Sequence, residues 1–142
     1  MLIAAERGEF DLDRLIADDD EPAIAAITVA ELGVGIELAT GRRKSNRRAF
    51  YDDLLETLPV IDYDIDVAVA HTALLVAVRR AGRPRGAHDL IIAATARATG
   101  RTVITNDRTG FVGLPGVDLR IAQQPAPVRN IAIPSLTKHP AP

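Results

Sequence analysis

Three carboxylates occupy comparable places along this 142-residue chain. Glu31 follows an apolar run of strand length, AIAAI (23–27). Asp89 heads an apolar helical stretch, and Asp107 lies two residues beyond the run TVIT (102–105). In open parallel sheets, ligand sites gather at the carboxyl ends of strands. Glu31 and Asp107 would converge there, and Asp89 would join them from its helix N-terminus. No His or Cys is counted in this set. Hard oxygen ligands without nitrogen or sulfur select Mg²⁺ or Mn²⁺ over zinc. Between residues 79 and 109 these two aspartates are the only acids, beside seven arginines (79, 80, 83, 85, 97, 101 and 108). Such a segment suits a cation site that meets a polyanion. Carboxylates hold the ion, guanidiniums hold phosphate oxygens, and a water made acidic by the ion attacks phosphorus.

Each residue also has a purely structural use. Thr28-Val29-Ala30-Glu31 matches a capping box, with Thr28 as cap and Glu31 as its N3 partner. Asp89 fits a first-turn acid favoured by the helix dipole, and Asp107 fits a turn former. The basic clusters, Arg42, Arg43, Lys44, Arg47 and Arg48, then Arg79, Arg80, Arg83 and Arg85, fit solvated faces. His71 and His88 are read as structural, and His139 lies in the final stretch. Singly, the structural uses weigh more; as a constellation, the two readings balance.

The elements that must position these groups alternate. Residues 1–17 read as a short helix with Leu2, Ile3, Leu15 and Ile16 apolar and a break near Gly8. DDDEP (18–22) is a polar turn and 23–27 a strand. Thr28 opens a helix that runs to Gly41, a glycine suited to the C′ position. A basic loop (42–48) leads into a second amphipathic helix, roughly 45–58, which Pro59 ends. PVID (59–62) is a strand. Asp64 caps a long helix, 65–81, in which Ile65, Val69 and Leu74 recur at helical spacing. A basic loop (82–86) precedes a helix over 88–99 that stops at Gly100. TVIT, the turn NDRTG and the strand VDLRI (117–121) follow. Strands alternating with helices predict an α/β fold with a parallel sheet. Residues 122–142 hold five of the nine prolines and no periodic pattern, and are read as a disordered tail beyond a domain spanning 1–121.

Composition narrows the class. Hydrophobic residues make up 47% of the chain, enough for a core, and only five residues are aromatic. Ala, Val, Ile and Leu dominate, as suits helices on a buried parallel sheet. With no cysteine, disulfides, thiolate nucleophiles and Cys-based zinc sites are excluded. The start, MLIAAERGEF, lacks the basic region of a secretory leader. The longest apolar stretches, 23–30 and 67–78, fall short of the ~20 residues that cross a bilayer. A cytoplasmic protein without a membrane partner is expected. Net charge is −2, so any affinity for polyanions rests on the basic clusters.

Three segments resemble one known family in order and spacing. ITVAELGVGIELA (27–39) looks like the second acidic motif of VapC-like PIN-domain ribonucleases, the toxins of toxin–antitoxin pairs. GAHDLIIAATARATG (86–100) looks like the third, with His-Asp at the head of an apolar helix. VITNDRTGFVGLPGVDLR (103–120) looks like the fourth, with Thr-x-Asp after a strand, then Phe and a Gly/Pro turn. The match runs from about residue 1 to 121. The resemblance implies a small parallel sheet wrapped by helices and a four-acid site that binds Mg²⁺, with Mn²⁺ as the alternative. It implies RNA as substrate, a cognate antitoxin as partner and, as is usual there, a homodimer. By motif match Glu31, Asp89 and Asp107 are the catalytic, metal-site carboxylates. Thr105 supports the site through its hydroxyl and Thr28 caps the Glu31 helix. Arg85 and Arg108, nearest to the motif acids, are the candidates for substrate binding.

One departure stands out. Members of that family open with a buried strand ending in Asp-x-Ser or Asp-x-Thr, followed by a helix resembling LIAAERG. Here Met1 falls inside that helix, so the central strand and the first aspartate are expected to be missing. Glu6 and Glu9 lie too far along to replace that aspartate. The expectation is an N-terminally truncated chain, its start set at an internal codon. The leading function is metal-assisted hydrolysis of RNA phosphodiesters. The alternative is a catalytically incomplete module that binds RNA or antitoxin. A nuclease acting on structured DNA is a third reading, disfavoured by the short single domain.

Overall fold

The structure, a computed structural model, describes residues 1–4 and 20–122. Its strands are short and all parallel: β1 (Leu2–Ile3), β2 (Ile24–Ala25), β3 (Val60–Ile61), β4 (Val103–Thr105) and β5 (Leu119–Ile121). Among the described residues four helices accompany them: α1 (Ala26–Glu37), α2 (Gly41–Thr57), α3 (Ile65–Ala81) and α4 (Ala87–Thr99). β1 pairs with β4 and β4 with β5, while β2 pairs with β3. A bridge from Leu2 to Ala23 joins the two groups. The strand order is therefore β3-β2-β1-β4-β5, the α/β arrangement expected.

The centre of that sheet corrects the sequence reading. Residues 1–17 were expected as helix and the central strand as missing. Leu2 and Ile3 instead hold the central place, 0% and 1% exposed. The physical reason is pairing on both sides. Leu2 N donates to Thr102 O, Ile3 N to Ala23 O and Ala4 N to Ile104 O, at 2.7–2.9 Å. Two apolar residues carry no period of their own, so tertiary hydrogen bonds decide their conformation. The rest of the expected first helix, from residue 5, lies outside the described residues.

Helix boundaries shift at the start of the chain and hold later. α1 begins at Ala26, two residues before Thr28. Ala25 is its N-cap, without a side-chain cap bond. The expected capping box is therefore absent: Thr28 sits inside the first turn, fully buried, and its Oγ1 has no hydrogen-bond partner. α1 stops at Glu37, with Leu38 80% exposed. Gly41, at φ +59, opens α2 instead of closing α1. The basic residues 42–48, expected in a loop, therefore ride on the first turns of α2. Arg47 Nη1 donates to Gly35 O at 2.7 Å and Arg48 meets Glu37 at 3.4 Å, tying α2 to α1. Ile3, Ile24, Leu54 and Leu58 form the core beneath them.

α3 keeps its predicted bounds. Asp64 Oδ1 accepts from Val67 N at 2.9 Å, and Gly82 closes the helix at φ +63. Its inward face differs from the spacing first read. Val67, Ala70 and Leu74 are buried, whereas Ile65 and Val69 are 76% and 66% exposed. Tyr63 Oη meets His71 Nδ1 at 2.9 Å. α4 packs on α3 and contacts β4 and α1. It buries Leu90, Ile92, Ala93, Ala94, Thr95 and Ala96. Its small alanines permit that close approach on several sides. Ala122 N donates to Thr105 O, so the sheet runs one residue into the predicted tail. Residues 123–142 lie outside the described residues. No helix among the described residues is long and apolar enough to cross a membrane.

Candidate active site

Parallel strands point their carboxyl ends to one edge, and the motif acids gather there by two routes. After β4 the chain enters a turn that Thr105 organises. Its buried Oγ1 accepts the N–H of Asp107 at 3.0 Å. Asp107 Oδ1 in turn accepts from Thr109 Oγ1 at 2.7 Å and from Thr109 N at 3.0 Å. These bonds favour the ionised form, and the Thr109 hydroxyl contributes most to holding the Asp107 carboxyl below its ordinary value. The turn ends on Phe111, 1% exposed, which anchors it in the main core.

The second route is the head of α4. Asp89 is in the first turn of that helix, whose N-cap is Gly86. Its carboxylate folds toward the 107–110 turn. An ideal Cβ on Gly110 would lie 2.7 Å from Asp89 Oδ2 and 3.6 Å from Asp107 Oδ2. Both carboxylates thus face the same small space beside Gly110. Burial pushes the Asp89 pKa up, the Asp107 charge pushes it further, and His88 opposes them.

Glu31 lies in the second turn of α1, one turn later than the capping box would place it. His88 Nδ1 donates to its Oε1 at 2.6 Å. Glu31 therefore reaches the neighbour of Asp89. Among the described residues no three Asp, Glu or His side chains converge on one ion. The structure brings Asp89 and Asp107 together and holds Glu31 beside them on His88. Ala4, buried, follows β1; Glu6 and Glu9 lie outside the described residues.

The two arginines differ. Arg85 Nη1 donates to Thr109 O at 2.7 Å and Nη2 to Val112 O at 2.6 Å. Its fork thus grips the acid turn from the loop before α4. Arg108 is exposed on the turn itself. Sequence reasoning missed four participants: Thr109, Gly110, His88 as partner of Glu31, and Arg85 as a clamp. Only Thr109 had a readable signal, the Asp-x-Thr spacing of an Asx turn.

The donor set fits a hard divalent cation. Two carboxylates share one space; burial and then the Asp107 charge raise the Asp89 pKa, and a cation would offset both. Comparisons with known proteins agree with the architecture. The PIN domain family model matches residues 1–113. The VapC ribonuclease Y4jK of Sinorhizobium fredii is 33% identical over 110 residues, covering 72% of this chain and 76% of that protein. The tRNA(fMet)-specific endonuclease VapC of Salmonella typhimurium is 29% identical over 105 residues, covering 74% and 78%. A crystal structure of VapBC2 from Rickettsia felis, bound to a DNA fragment from its promoter, superposes with a TM-score of 0.71. Its identity is 26%, over 80% of this chain and 84% of that one. With three acidic motifs in order on a sheet of this topology, the chain belongs to the PIN-domain family, among its VapC ribonucleases.

Proposed function

We propose that this chain is a metal-dependent endoribonuclease and the toxin half of a toxin–antitoxin pair. The observation that carries the proposal is the meeting of Asp89 and Asp107 beside Gly110, at the carboxyl edge of the sheet. Asp89 and Asp107 would hold Mg²⁺, or Mn²⁺ in its place, and Glu31 is the third carboxylate within the neighbourhood. When bound, such an ion lowers the pKa of a water and stabilises charge on the leaving oxygen of a phosphodiester. The residues of the chain do the rest. Thr109 holds the Asp107 carboxylate ionised, and Thr105 fixes the backbone of its turn. The head of α4 presents Asp89. Arg108, exposed on the acid turn, meets phosphate oxygens of RNA.

The proposed partners follow from relatives. Solved neighbours include a VapBC complex from Salmonella typhimurium and VapBC-5 from Mycobacterium tuberculosis, a member of a toxin–antitoxin family. A cognate antitoxin and a second copy of this chain are the partners proposed here, and the cytoplasm is the proposed location.

A specific observation favours a second reading. Glu31 is engaged by His88, and no carboxylate directly follows β1 among the described residues. A chain so built would bind RNA or antitoxin without cutting. Expression in a host with Asp89→Asn as control separates the two. Growth arrest and RNA cleavage, both abolished by the substitution, support the nuclease. RNA binding without cleavage at millimolar Mg²⁺ supports the binding module.

A further inference from the structure

The geometry points to Arg85 and Gly110 as a paired positioning device that sets the separation of Asp89 and Asp107. Arg85 had been a candidate phosphate ligand. Its two terminal nitrogens instead donate to Thr109 O and Val112 O, carbonyls that bracket Gly110 and Phe111. The guanidinium belongs to the loop that leads into α4, four residues before Asp89. The carbonyls belong to the turn that carries Asp107. One planar fork therefore joins the two segments that supply the carboxylates, and it does so bidentately, which fixes direction as well as distance.

Gly110 supplies the space that this closure requires. It is not among the positive-φ glycines, so its backbone does not demand glycine. The demand is steric. A Cβ there would stand 2.7 Å from Asp89 Oδ2, too close for any real carbon, and 3.6 Å from Asp107 Oδ2. Arg85 pulls the turn in, and the missing side chain lets the carboxylates come in with it. Neither residue touches the reacting atoms, so both are positioning residues. The inference rests on reading Asp89 and Asp107 as a cation site.

Mn²⁺ binding by titration calorimetry tests it, with circular dichroism and metal-free melting to verify folding. The variants are Arg85→Ala, Arg85→Lys, Gly110→Ala, Asp89→Asn and Arg97→Ala. Arg97 is the control for mere loop packing. It donates to Pro115 O at 3.1 Å, in the same connection but away from the carboxylates. Arg85→Ala and Gly110→Ala should each weaken Mn²⁺ binding roughly tenfold or more, the cost typical of losing an outer support. Arg85→Lys, able to hold a single carbonyl, should fall between. Arg97→Ala should bind as the parent does. Folded Arg85→Ala and Gly110→Ala proteins with parental affinity would overturn the inference, provided Asp89→Asn has lost binding. So would an equal loss in Arg97→Ala. Unchanged binding by Asp89→Asn would instead remove the cation site itself, and the inference with it.

Discussion

The turn after β4 and the head of α4 each present one aspartate to the same space, and the fold treats them differently. Asp107 is surrounded by donors from its own turn, so it stays charged and its position is set locally. Asp89 is partly buried, faces the charge of Asp107 and has a raised pKa. One carboxylate is stabilised by the fold, while the other is held there against its own electrostatics. A partly buried carboxylate set beside a second carboxylate is an arrangement that a cation would favour. Perturbed carboxylates of this kind cluster at functional sites.

The comparison can be broken at several points. The largest effect expected is on catalysis: Asp89→Asn and Asp107→Asn should each reduce RNA cleavage to background, measured on a labelled transcript with Mg²⁺. Cleavage by either protein would remove its residue from the mechanism. Next is the anchor of the turn. Phe111→Ala should cost about 3–5 kcal/mol by denaturant unfolding, the usual range for a buried aromatic, and a cost below 1 kcal/mol would detach the turn from the core.

A smaller effect separates the two acids by pH. Asp107 has a lowered folded pKa, so its stabilising contribution is present above the ordinary carboxylate value and is lost as pH falls through its own lower value. Asp89 has a raised folded pKa, so stability declines as pH rises from the ordinary carboxylate value through its raised one. In metal-free melts, Asp89→Asn should remove that decline and raise the melting temperature at neutral pH. Thr109→Val should lower it, by about 0.5–1 kcal/mol for one hydroxyl bond on an open turn. Melting temperatures moving in the same direction would contradict the contrast. The smallest change is at Thr28, whose buried hydroxyl is unpartnered. Thr28→Val should leave stability unchanged or improve it by up to about 1 kcal/mol. A loss above that would show that the hydroxyl has a role.

Much of this was legible in the residues. Asp64 and Gly82 bound α3, Gly100 ends α4, and TVIT is β4, because caps and buried runs are local signals. The motif acids Asp89 and Asp107 could be placed together because both lie at ends of elements. What escaped was set by distant pairing. Leu2 and Ile3 carry no period, so only their hydrogen bonds to residues 102 and 23, and that of Ala4 to residue 104, identify the strand. The Thr28 cap failed because Ala26 and Ile27 could extend α1 backward, leaving the hydroxyl inside. Arg85 looked like a free cation because nothing in the sequence says that two carbonyls beyond the acid turn would meet it. Ile65 and Val69 matched a helical period, yet Val67, Ala70 and Leu74 won the inward face.

The pairing of Leu2 with Val103 bears on how the molecule is made. β1 is translated well before β4, one of its two neighbours, since Leu2 pairs with Val103. Loop closure on that scale is slow. On the ribosome, β1 must wait with one side uncovered until β4 has left the exit tunnel. The turn that carries Asp107 follows β4, so a chain stopped before that strand lacks the edge of the sheet on which Asp89 and Asp107 meet.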